Sequence, residues 1–110
     1  MVTITITRGQ DGRIRHFAVS GHAKYADRGK DIVCAGVSAV TVGAVNAIEK
    51  LTGLVPAAEM RSGWLSADAP ESEDAAKDSV VQLLLEGMMA ALESIVDEYG
   101  KYVSIKEHFQ

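Results

Sequence analysis

The chain reads as an α+β protein: a two-layer α/β sandwich in which an antiparallel sheet carries two helices, in the order β-β-α-β-β-α-β. Three observations predict it. Apolar and polar residues alternate strictly at the start, as in a half-buried strand. Two long segments place apolar residues every three to four positions, the period of a helix with one buried face. Short clusters of Gly, Asp and Ser separate the segments and mark the turns. With 110 residues there is room for a single core, so residues 1–110 form one domain.

Val2, Ile4 and Ile6 alternate with Thr3, Thr5 and Thr7 to give the first strand. Gly9-Gln10-Asp11-Gly12 supplies a turn, and Arg13 to Ser20 returns as the second strand, with Phe17 and Val19 on one face. Periodicity then lapses from Gly21 to Lys30, which reads as a loop. Asp31 is placed to cap a helix from Ile32 to Leu51, closed by Thr52-Gly53. Its apolar stripe is Val33, Val37, Val40, Ala44, Ile48 and Leu51. Small residues on the other faces predict burial on most sides, with Gly36, Ala39 and Gly43 admitting a close neighbour.

Ala57 to Arg61 and Trp64 to Ala69 read as strands joined at Ser62-Gly63, with Trp64 in the core. Ser72 is the expected cap of a helix from Glu73 to Tyr99, whose stripe is Val81, Leu84, Leu85, Met88, Leu92, Ile95, Val96 and Tyr99. The helix is apolar over a wide arc near Leu83 and Met89, enough to pack on the sheet and on a second copy of the chain. Gly100 stops it, and Val103 to Phe109 is expected as an edge strand.

The hydrophobic fraction of 47% and charged fraction of 24% are those of a soluble globular protein. A net charge of −4 speaks against a broad nucleic-acid surface. One cysteine cannot form an internal disulfide, so a reducing, cytoplasmic setting is expected. The alternating N-terminus is unlike a signal peptide, and the apolar stretch Val33 to Ile48 is punctuated and too short for a membrane span. One Cys and three scattered His offer no ligand spacing, so neither metal nor cofactor is expected.

The chemistry concentrates on Cys34. It lies in the first turn predicted for the first helix, where unpaired N–H groups favour a thiolate and can form an oxyanion hole. Taken alone, a free cysteine is more often a small buried hydrophobe, and His22 a solvated loop residue. Together, a strand end carrying His22 and a helix start carrying Cys34 are where nucleophile and base can converge. Ser38, at i+4 from Cys34, shares its face. Gly21 suits an unusual backbone angle beside His22. Asp31 can cap the helix, orient the imidazole, or both. Asp27, Arg28 and Lys30 read as a solvated loop face, and Gly29 suits a movable lid. His16 and His108 read as structural or exposed.

Gly21-His22-Ala23 followed by Gly29-x-Asp31-Ile32-Val33-Cys34-Ala35-Gly36-Val37-Ser38 resembles the signature of the ribosomal-processing cysteine protease family (Prp). The resemblance extends over essentially the whole chain, in length and element order. It implies a bacterial endopeptidase, chiefly of Firmicutes and relatives. Such an enzyme removes a short N-terminal extension of large-subunit ribosomal protein twenty-seven after a pair of aromatic residues. It also implies a homodimer working through a Cys/His dyad, with Cys34 as nucleophile and His22 as base; Asp31 and Ser38 match further motif positions. An apolar groove is implied, but the sequence does not identify its lining. Two other classes fit the residues alone: a non-catalytic ribosome-assembly module that binds a basic ribosomal protein, and a thiol protein responsive to oxidants.

Overall fold

The computed structural model describes residues 1–27 and 30–110. Its elements are β1 (Val2–Arg8), β2 (Ile14–Ser20), α1 (Ile32–Thr52), β3 (Ala57–Arg61), β4 (Trp64–Asp68), α2 (Ala75–Tyr99) and β5 (Val103–Phe109), in the predicted order. The α+β class holds, with one correction. The sheet, ordered β3-β4-β2-β1-β5, is mixed, because β5 runs parallel to β1 from Val2↔Val103 to Arg8↔Phe109.

The cause lies in the connections. Each helix joins two strands that point the same way, β2 to β3 and β4 to β5, and such a crossover is what parallel strands require. Arg8 of β1 fastens the arrangement, pairing with Glu86 of α2 at 2.7 Å and Glu107 of β5 at 3.3 Å.

Register decides what faces the helices. Ile4 pairs with Val19, which pairs with Leu65, which pairs with Met60; Ile6, Phe17, Ala67 and Ala58 form the next row. Ile4, Ile6, Phe17, Val33, Ile48, Leu85 and Leu92 are buried in the resulting core. The opposite row holds Thr3, Ser20, Trp64 and Arg61. Trp64 is thus half-buried on the face away from the core residues, with the Arg61 guanidinium 4.5 Å from its ring centroid, and is not a core residue as expected. The reason is the hairpin: Gly63, at φ +72°, closes a two-residue turn that points Leu65 inward and Trp64 outward.

The buried stripe of α1 is Val33, Val37, Thr41, Ala44, Ile48 and Thr52. Leu51, predicted within it, is 64% exposed. Helical geometry overrides residue type here, since Thr41 and Thr52 satisfy their hydroxyls on the carbonyls of Val37 and Ile48 one turn back. Burial on most sides is also corrected. Ala35, Ala39, Gly43 and Asn46 are exposed, and only Gly36 of the three small residues meets α2, 3.7 Å from Ile95 Cδ1 if given a Cβ.

The cap of α2 is Asp74 rather than Ser72. Its carboxylate accepts from the amides of Ala76 and Lys77, while Ser72 Oγ accepts from the Asp74 amide. A carboxylate also complements the helix dipole. By length and composition alone both helices are long and apolar enough to cross a membrane, α1 with its 21 residues extending beyond the stretch Val33 to Ile48. In the fold they pack on each other, and residues of both join the core formed with the sheet.

Candidate active site

Three segments meet at one end of α1. The first is the end of β2. Gly21 adopts φ +91° and donates its N–H to the Gly63 carbonyl at 2.8 Å; a side chain there would run into the Met1 carbonyl. The unusual angle foreseen for Gly21 is therefore present, and the close approach of Met1 is a second reason for glycine there. The second segment is the β3–β4 turn, against which the His22 ring rests: a Cβ on Gly63 would lie 2.6 Å from Nε2. The third is the start of α1 with Cys34.

The loop after His22 wraps the cysteine. Ala23 is buried and donates its amide to Cys34 Sγ at 3.2 Å. Lys24 takes a left-handed conformation, φ 58°, and turns the chain. The Tyr25 amide then donates to Asp31 Oδ2 at 3.0 Å, and its ring meets Tyr99 and Tyr102 edge-on with centroids 5.6 and 5.2 Å away. The loop is thereby anchored to the junction of α2 and β5.

Asp31 is the N-cap of α1: Oδ1 accepts from the amides of Val33 and Cys34, each at 3.0 Å. The Cys34 amide in particular, then those of Tyr25 and Ala26, hold its carboxyl below the usual range against the cost of desolvation. Both oxygens are committed to backbone donors, and His22 is not among their partners. Of the two roles weighed for Asp31, the cap is the one the geometry displays. At the helix start, where unpaired N–H groups were expected, the Val33 and Cys34 amides already serve the cap. An aspartate at that position was itself the signal that those donors are occupied.

His22, Cys34 and Ser38 border two spaces. One is an open cleft of about 540 Å³ that also touches Lys24, Asp31 and Ser62. The other is a recess of about 180 Å³ whose walls include Val37, Val42, Met60 and Leu65. Cys34 is half-buried, not sealed in the core. The structure thus gathers Gly21, His22, Asp31, Cys34 and Ser38 at one place. Sequence reasoning missed Gly63, Ser62 and Met60, which reach the site only because β4 pairs with β2.

His16 sits apart, paired with Asp68 at 2.7 Å, and His108 is exposed on β5. No cluster suited to a metal occurs among the described residues. Asp27 and Lys30 are exposed, while Arg28 and Gly29, with the lid reading placed on Gly29, lie outside the described residues.

A half-buried thiol and an imidazole bordering one open cleft fit a thiol hydrolase, and comparison with known proteins agrees. Residues 1–104 match the family model "Cysteine protease Prp", and the chain belongs to that family of cysteine proteases. It is 43% identical over 101 residues to the ribosomal processing cysteine protease Prp of Bacillus subtilis, covering 90% of each chain. The Staphylococcus aureus protein of the same name is 35% identical over 105 residues, covering 96% of this chain and 97% of its own. Among solved structures, S. aureus Prp with a covalently linked product peptide superposes with a TM-score of 0.86 at 32% identity, over 100% of both chains. The same protease with a substrate peptide gives 0.81 at 33% identity, over 97% of this chain and 99% of that one.

Proposed function

We propose that this protease is a cytoplasmic endopeptidase that removes the N-terminal extension of large-subunit ribosomal protein twenty-seven, with Cys34 as nucleophile and His22 as general base. The observation that carries the reading is that both side chains border one open cleft while a backbone amide is aimed at the sulfur. The names of the relatives, and the substrate and product peptides in their solved structures, support a ribosomal-protein peptide as the partner.

In this mechanism His22 takes the Cys34 proton and the thiolate attacks the scissile carbonyl. The Ala23 amide, which suits negative charge on sulfur, and the Ser38 hydroxyl are the donors beside the reacting atoms. His22 then protonates the departing amine, and a water activated by His22 hydrolyses the thioester. The enzyme acts as a homodimer. Val80, Leu83, Gly87 and Ala90, spaced three and four apart, leave an exposed apolar stripe on α2 that supports this, and Leu83→Glu is expected to yield monomers by light scattering.

The test is cleavage of a synthetic peptide bearing the extension and its adjacent aromatic pair, followed by mass spectrometry. Cys34→Ala and His22→Ala should each abolish cleavage with an unchanged circular dichroism spectrum. Full activity in Cys34→Ala protein would overturn the assignment.

A further inference from the structure

The edge of the sheet next to the cleft is open. β3 pairs only with β4 among the described residues, and all five of its residues are exposed. Its two-residue turn sets Arg61 opposite Trp64, so Arg61, Glu59 and Ala57 direct their backbone bonds at β4. By alternation, Met60 and Ala58 turn an amide and a carbonyl each toward solvent. Proteins usually blunt such an edge with charges, proline or a bulge; β3 has no proline or bulge, and its two charges, Glu59 and Arg61, lie on the face opposite Ala58 and Met60.

A trough runs beside this edge. A cavity of about 110 Å³ lies between Ala58 and Met60 on β3 and Val42, Val45 and Asn46 on α1. It shares Val42, Met60 and Leu65 with the recess that reaches His22 and Cys34. From Cys34 to Asn46, α1 rises roughly 18 Å at about 1.5 Å per residue. That length matches about five residues of extended chain at roughly 3.3 Å each.

We infer that β3 is the docking edge for the substrate: an extended segment of the cleaved peptide adds as a sixth strand along Ala58–Met60. Its main chain bonds the outward groups of these two residues, and alternate side chains enter the trough between Met60 and Val42. The side chain nearest the scissile bond fills the 180 Å³ recess, which selects a large apolar residue. A peptide is the occupant because the trough ends at Cys34, so what lies in it must present a carbonyl to sulfur. The inference rests on the proposed site, with Cys34 as the attacking group.

The test measures binding and so is independent of catalysis. Cys34→Ala protein is titrated with a fluorescent synthetic peptide containing two adjacent phenylalanines, and with versions N-methylated at one position at a time. Methylation should weaken Kd about five- to tenfold at every second position on one side of the scissile bond, as loss of single edge bonds predicts. Adding Met60→Pro, tolerated on an edge strand, should weaken binding of the unmethylated peptide by a similar factor, whereas Met60→Ala keeps the amide and loses only side-chain contact. A flat methylation profile, unchanged Kd with Met60→Pro, or a Met60→Pro effect on dimer mass alone would overturn the docking edge. Failure of the site itself would show separately, as absence of cleavage by the unmodified enzyme.

Discussion

The His22 imidazole rests against the α-carbon of Gly63, a residue forty-one positions away in sequence, so closely that a methyl group there would stand 2.6 Å from Nε2. The missing side chain of Gly63 is what lets the ring occupy this position. Gly63→Ala meets both that clash and the left-handed φ of +72°. With His22 as the proposed base, the expected outcome is a fall in kcat/KM of roughly tenfold or more with modest loss of melting temperature, since displacing the ring costs far more in rate than in stability. Steady-state kinetics beside thermal melts checks it.

The carboxyl of Asp31 has a lowered pKa in the folded chain, chiefly through the Cys34 amide. The stabilisation it brings is fully present above the ordinary carboxylate range and is lost as pH falls through the folded-state value. Thermal melts from neutral pH into acid should therefore show a shallower decline in Asp31→Asn than in the unmodified protein, because asparagine still caps but carries no charge. Parallel curves would contradict the assignment of this titration to Asp31.

Tyr25→Ala should free the loop without unfolding the domain. Each edge-on aromatic contact, to Tyr99 and to Tyr102, is worth about 0.5–1.5 kcal/mol. Hydrogen exchange at the Ala23 amide should then speed up roughly tenfold or more while exchange in α2 stays slow. The same variant should lose kcat/KM, because the donor at the sulfur is no longer held in place.

Two leucines of α2 separate packing from surface. Leu92 is fully buried and Leu83 is 73% exposed. Leu92→Ala should cost about 2–5 kcal/mol in denaturant melts, and Leu83→Ala within about 0.5 kcal/mol in the monomer.

Much of this was legible in the chain itself. Period-2 alternation located β1, the Ser62-Gly63 turn located the second hairpin, and Asp31 marked the start of α1. Long-range pairing was not legible. Nothing local says that β4 pairs with β2 or that β5 lies parallel to β1, and those pairings bring Gly63 to His22 and turn Trp64 outward. Residue type also misled where geometry ruled, so that Thr41 is inside and Leu51 outside. At the site, Gly21, His22, Asp31, Cys34 and Ser38 were found through their motif and its family resemblance. The trough walls carry ordinary Val, Met and Leu residues, which no motif distinguishes from core.

Because one side chain, Asp31, simultaneously opens a helix, ties down Tyr25 and neighbours the thiol, these functions have no independent adjustment. Any replacement of that residue that abolishes its capping oxygens will shift secondary structure, loop position and sulfur environment in one stroke. Useful variation must instead come from residues that touch only one of the three.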